Sequence, residues 1–148
     1  MKNESQAMTN GLSGLLADTY VLYVKTQNFH WNVTGSHFYS HHKMFEEQYT
    51  QLSDAIDKIA ERIRSLQAFA PASLSAFLKL TSLKESGHSL EAHSMVKELL
   101  CSHEQISKNI INLFEVAKKF NDEVTLDLLI ERKSDHDKII WILRSTLE

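Results

Sequence analysis

FHWNVTGSHFYSHHKMFEEQYTQLSDAIDKIAERIRSL, residues 29–66, carries the end of one helix, a turn and a complete second helix. From Phe45 onward the apolar positions are Phe45, Tyr49, Leu52, Ile56, Ile59, Ile63 and Leu66. They step alternately by four and three, the spacing of a seam in a helix bundle. The run starts near Ser36 or His37 and ends near Gln67. Before it, VTGS interrupts the pattern, and Gly35 supplies the backbone freedom for a tight reversal.

Working outward, a first long helix starts between Glu4 and Asn10 and reaches about Val33. Its core candidates are Met8, Leu12, Leu15, Leu16, Val24 and Phe29; Phe38 begins the apolar set of the second helix. Beyond residue 66, AFAPASLSAFLKLTSLKESG breaks the pattern at Pro71, and Ser73 can cap a short helix, LSAFLKL. A third long helix runs from about Ser89 to Phe120, burying Met95, Leu99, Ile106, Ile110, Leu113 and Phe114. FNDEV ends it. Asp122 can cap a fourth, which runs to about Leu147 with Val124, Leu128, Ile139, Ile142 and Leu143 inside. The expected fold is all-α: one antiparallel four-helix bundle over residues 1–148, with an extra short helix in the second-to-third connection.

Composition agrees. With 148 residues, 43% of them apolar, the chain can bury a core without staples. Only 4 Gly and 1 Pro argue for long, uninterrupted helices. The single cysteine, Cys101, excludes an internal disulfide and suits a reducing compartment, so a cytoplasmic location is expected. The start MKNESQAMTN has no apolar run of the secretory kind. No apolar stretch of about 18 residues occurs, so no membrane association is expected. A net charge of −3 gives no general attraction to nucleic acid or anionic lipid.

The second helix also carries candidate metal ligands. At about 100° per residue, His42, Glu46, Asp57 and Glu61 fall within roughly a 100° sector on one flank of the apolar stripe. Reflecting the hairpin about its turn sets His30 opposite His42, so His30, His42 and Glu46 can converge within one chain. Imidazole with carboxylate suits iron, zinc or manganese rather than calcium. Asp57 and Glu61 cannot join them there: His42 and Asp57 stand about 22 Å apart along a helix, and Glu46 and Asp57 about 16 Å. The midpoint of 42 and 61 lies between residues 51 and 52, as does that of 46 and 57. Two copies of the helix crossing antiparallel at that point would set His42 against Glu61 and Glu46 against Asp57, and Thr50 and Ser53 are small enough to allow it. The competing reading of Asp57 and Glu61 is a solvated charge face beside Lys58 and Arg62.

The segment HWNVTGSHFYSHHKMFEEQYTQLSDAIDKIAER, residues 30–62, resembles the signature of the Dps, or miniferritin, family. The shared features are His-Trp, a Gly turn, an aromatic, a second His with an acid four later, and a closing Asp-x-x-Ala-Glu-Arg. Helix order and the extra helix extend the likeness to nearly the whole chain. The resemblance implies a ferritin-like hollow dodecamer that oxidises Fe(II), with hydrogen peroxide favoured over dioxygen, and stores the ferric product. It implies His30, His42, Glu46, Asp57 and Glu61 as ferroxidase ligands, divided between two subunits, with zinc as a possible substitute metal. Three departures are visible: Glu46 where Asp is also frequent, His41 where an apolar residue is common, and Gln67 in place of a common Gly.

Further expectations follow from the resemblance. Trp31 could accept oxidising equivalents or simply pack in the bundle; for Tyr39 packing is the preferred reading. Asp122, Glu123 and Asp127 read either as favourable charge at a helix start or as an acidic threefold pore, with Asp127 the main candidate. His37 and His41, four apart, could bind zinc but read first as an exposed helix start. His88, His93, His103 and His136 have no partners by spacing. Cys101 reads as a small core or interface residue. Some relatives bind DNA through a lysine-rich tail; the first ten residues here hold Lys2 and Glu4 and little else charged, so DNA binding is expected to be weak or absent. The rival functions are a nucleoid-compacting architectural shell and a zinc-carrying shell that never turns over iron.

Overall fold

The structure, a computed structural model, describes residues 2–87 and 90–148. Its elements are α1 (Lys2–Asn32), α2 (Phe38–Ser65), α3 (Leu74–Leu80), α4 (Ala92–Lys119) and α5 (Glu123–Leu147). The third and fourth long helices of the sequence reading are therefore α4 and α5. The expected start of the third at Ser89 lies outside the described residues, as does His88.

Two helical hairpins build the bundle: α1 packs along α2, α4 packs along α5, and α1 also packs on α4 and α3. Three contacts fix the direction of α5. Residues 44, 58 and 62 of α2 meet residues 146, 131 and 122 of α5, through Met44–Thr146, Lys58–Glu131 and Arg62–Asp122. Helix α5 thus runs antiparallel to α2. Since α4 and α5 form a hairpin, α4 is parallel to α2, and the chain between them must travel the length of the bundle. That is why the second connection is long and carries its own helix.

The stops are written in backbone chemistry. At the end of α2, Gln67 N–H donates to the Arg64 carbonyl and Ala68 N–H to the Ile63 carbonyl, with Gln67 at φ 64°. At the end of α4 the same pattern recurs, with Asn121 at φ 53° and Asp122 N–H donating to Ala117. Both are Schellman motifs, whose left-handed residue is usually Gly or Asn. Asn121 suits its position; Gln67 occupies one where glycine would be unstrained. Starts are capped as expected: Ser73 Oγ accepts from Ala76 N–H, and the Asp122 side chain accepts from Thr125 N–H.

The core follows the heptad seam, with Phe45, Leu52, Ile59 and Ile63 of α2 fully buried against Leu12, Leu16, Phe29, Leu99, Ile106 and Leu129. Of the expected core residues, Leu128 and Ile142 are only half-buried, and two valines lie at the surface. Val24 is 47% exposed and Val124 65% exposed. In each case a nearby threonine takes a buried position instead, with its hydroxyl satisfied. Thr26 donates to the Leu22 carbonyl, and Thr125 bonds Arg62 and Asp122. Phe38, 43% exposed, rests on His42 rather than in the core.

The crossover is pinned to the bundle by one carboxylate. Buried Asp18 of α1 accepts from Thr81 Oγ1, the backbone N–H and hydroxyl of Ser82, and Asn109 Nδ2 of α4. Phe77 of α3, buried, stacks on Tyr20 at 4.5 Å. At the opposite hairpin the reversal rests on Gly35, at φ 115°.

Candidate metal centre

The α1–α2 turn brings the last turn of α1 against the first turns of α2. His30 Nδ1 donates to the His42 carbonyl at 2.7 Å, and His42 Nδ1 donates to the His30 carbonyl at 2.7 Å. A carbonyl can only accept, so each Nδ1 carries a proton, and in the neutral ring the lone pair lies on Nε2. The His30 carbonyl is one of the groups left without an intrahelical partner at a helix end, so the exchange also closes the hairpin. The two rings stack at 3.8 Å, Tyr49 sets its edge on His30, and Phe38 stacks on His42. Two imidazoles are thereby fixed in one tautomer and one orientation, as metal-bound histidines generally are.

Glu46 lies one turn beyond His42 but faces Lys43, 3.0 Å away. The hydrogen bond and charge of Lys43 hold its carboxyl below the usual range. Among the described residues no three His, Cys, Asp or Glu side chains form a ready metal-binding group. The structure thus joins His30 to His42 and leaves Glu46 engaged elsewhere. Asp57 and Glu61 are exposed farther along α2, on the flank that also exposes Thr50 and Ser53. Among the described residues neither makes an ion pair.

Arg62, read from the sequence as part of a surface charge face, is a clasp. It donates to Thr125 Oγ1 at 2.8 Å and Asp122 Oδ1 at 2.9 Å, tying the end of α2 to the start of α5. Burial pushes the Asp122 carboxyl up, but the Thr125 hydrogen bonds and the Arg62 charge outweigh it and leave it below the usual range. Of the three candidate pore acids, Asp122 is therefore committed to capping and pairing, while Glu123 and Asp127 stand exposed.

Trp31 and Tyr39 are 67% and 71% exposed, so the packed reading fails for both within one chain. Cys101 is exposed as well, which removes its core reading. His37 and His93 are exposed and His41 is half-buried.

One buried group escaped the sequence entirely. His103 of α4 and His136 of α5, both fully buried, face each other with Nδ1 atoms 2.8 Å apart. Arg132, itself buried, donates to His136 Nε2 at 3.1 Å. That donation places the His136 proton on Nδ1, where it donates to His103 Nδ1. His103 then carries its proton on Nε2, which is buried without a partner. Partners 33 residues apart on different helices leave no periodic trace.

The ferritin-like domain family matches residues 9–148. A low temperature-induced protein of Nostoc sp. is 40% identical over 147 residues, covering 98% of this chain and 82% of that protein. DNA protection during starvation protein 2 of Bacillus anthracis is 35% identical over 136 residues, covering 92% of this chain and 93% of that protein. Among solved structures, the Dps protein of Vibrio cholerae O1, described as a ferritin-like diiron-carboxylate protein, superposes with a TM-score of 0.96 at 34% identity. That likeness covers 99% of this chain and 92% of the other. The chain belongs to the Dps family of ferritin-like proteins. Its similarity to the Dps of Bacillus brevis, with a TM-score of 0.96 at 35% identity over 99% of this chain and 98% of that one, extends over all five helices. Among the described residues, no helix of this Dps chain is long and apolar enough to cross a membrane.

Proposed function

We propose that the protein is a ferroxidase and iron store that limits oxidative damage. Fe(II) binds between twofold-related subunits, is oxidised there, and is kept as ferric mineral inside a dodecameric shell. Family membership supports the iron-storage and protective role. The observation that carries the finer reading is the reciprocal His30–His42 exchange: it leaves two oriented Nε2 lone pairs beside Glu46, while Asp57 and Glu61 wait unpaired at the far end of the same flank.

In this reading His30, His42 and Glu46 of one subunit and Asp57 and Glu61 of its partner bind the ferrous substrate. Lys43 must release Glu46 when the cation arrives, since the cation offers that carboxylate a closer charge. Carboxylates, being hard ligands, favour Fe(III) once it forms. Hydrogen peroxide is the preferred oxidant, taking the two electrons released by two Fe(II) ions to give water. Glu123 and Asp127 draw Fe(II) toward the shell by their field, and Trp31, at the surface near the site, can take up stray oxidising equivalents. Zinc would occupy the same ligands without turnover.

The test adds Fe(II) and then peroxide anaerobically to metal-free protein and follows ferric absorbance. A fast phase far above the buffer rate is expected, lost in Asp57→Ala with the subunit still folded. A wild-type trace no faster than buffer would remove the enzyme and leave a zinc-carrying or architectural shell. Mobility of DNA unaltered by the protein at physiological salt would exclude the nucleoid-compacting alternative.

A further inference from the structure

At the end of the bundle where α2 and α4 begin and α5 finishes, a cleft of about 490 Å³ is lined by His37, His41, Met44, His93 and Thr146, among others. Among the described residues, no Asp, Glu, Lys or Arg lines it. His37, His41 and Met44 stand at i, i+4 and i+7 on one face of α2, and His93 comes from the first turn of α4. The donors are thus three imidazoles and a thioether, with no carboxylate. Such a set discriminates against Fe(II), Mg(II) and Ca(II), and imidazole with thioether is copper chemistry.

Several details bear on occupancy. His41 Nδ1 is buried without a hydrogen-bond partner, the kind of orphan that calls for a ligand or water. The His37 and His41 rings are 6.2 Å apart between centroids, whereas two imidazoles on one tetrahedral ion stand about 5 Å apart given bonds of about 2 Å. The exposed His37 ring would have to turn toward His41 to share an ion with it. Met44 Sδ receives only a weak contact from Thr146 Oγ1 at 3.8 Å, leaving sulfur lone pairs free.

We propose that His37, His41 and His93, with the Met44 thioether as an added donor, form a copper site separate from the iron site at His30 and His42. The donors are not preassembled, since among the described residues no three candidate ligands already converge; the ion gathers them by turning the exposed His37 and His93 side chains. A protein that handles iron would then sequester a second redox-active metal at an independent place.

The assembled protein is dialysed to equilibrium against copper(II) sulfate, in parallel with His37→Ala. His37 is exposed and its side chain makes no capping hydrogen bond, so the variant keeps the fold. Because His30 and His42 can also take copper, the difference is the measurement. Wild type is expected to hold one more copper per subunit at limiting metal, and His37→Ala to weaken that binding at least about tenfold. His93→Ala should weaken the same binding, and Met44→Leu should lower the preference for copper over zinc sulfate. Iron oxidation should be unchanged in all three. Superimposable copper isotherms for wild type, His37→Ala and His93→Ala would overturn the site.

Discussion

The buried histidine pair makes an acid-sensitivity prediction that can be worked through. His103 and His136 are both neutral in the folded chain. Burial, and then the Arg132 charge, push the His103 pKa down to about 3; burial, His103 and Arg132 carry His136 well below its usual value. In the unfolded chain both return to about 6.5. Below pH 6.5 the unfolded state therefore binds two protons that the folded state refuses. Stability is complete above that pH and is lost as pH falls toward 3. Well below pH 6.5 each depressed histidine removes about 1.4 kcal/mol per pH unit, and because the slope builds up only gradually near 6.5 the pair removes about 3 kcal/mol between pH 6.5 and 5. Subunit stabilities of about 5–15 kcal/mol leave little margin for that. The assay is urea unfolding, followed by tryptophan fluorescence at fixed protein concentration across pH 5–8, for wild type and His103→Leu/His136→Leu. The variant's stability at pH 8 can lie above or below wild type, because Arg132 loses one acceptor. Only the slope matters, and it should flatten by close to two protons. An equal slope for both proteins would show that the pair is not the acid-labile element.

The proposed division of the iron site between subunits predicts complementation. His42→Ala and Asp57→Ala subunits should each be inactive alone, yet mixed and reassembled they should regain a fast phase, because some twofold pairs then contain one intact site; stopped-flow absorbance checks this. Gln67→Gly should raise the unfolding midpoint by relieving a left-handed residue, worth about 1 kcal/mol, read from urea titration at pH 8. Arg62→Met should cost about 1–3 kcal/mol by leaving part-buried Asp122 without its cation, and Arg62→Met/Asp122→Asn should recover some of it. Asp127→Asn should slow iron uptake at low ionic strength and less so at high salt, with the burst at pre-loaded sites unchanged.

Residues 29–66 exposed most of the architecture because a four-three seam, a Gly turn and a scarcity of breakers leave few alternatives. The LSAFLKL helix and both side-chain caps were legible for the same reason: local chemistry sets them. The errors came where neighbours in space decide. Val24 and Val124 look like core by hydropathy, yet a threonine finds its hydroxyl a partner and takes the buried place. Arg62 reads as a surface charge until α5 arrives beside it. His103 and His136 mean nothing singly and become a pair only when α4 and α5 dock. Within the proposed iron site, the helix register made His30 opposite His42 foreseeable. Their exchange of Nδ1–H bonds, and the hold of Lys43 on Glu46, were not foreseeable, since rotamers answer to partners that spacing does not name.

The clasp at Arg62 links two features that the sequence keeps far apart. Glu61, a candidate ligand, precedes Arg62 on the final turns of α2. Arg62 grips Asp122 and Thr125 at the head of α5, and exposed Asp127 follows within about one and a half turns. The carboxylate proposed to receive iron and the acid proposed to draw it in are thus mounted on one cross-braced corner of the bundle. That corner is held by charge-assisted hydrogen bonds in a part-buried setting, where they are stronger and less screened than at the surface. In the proposed shared site, loosening it would move Glu61 relative to the opposing subunit's histidine by the slack of a helix end, and an error of about 1 Å at a reacting centre is costly. A subunit whose α5 start is frayed should therefore lose oxidation rate before it loses its fold, although neither Arg62 nor Asp122 touches iron.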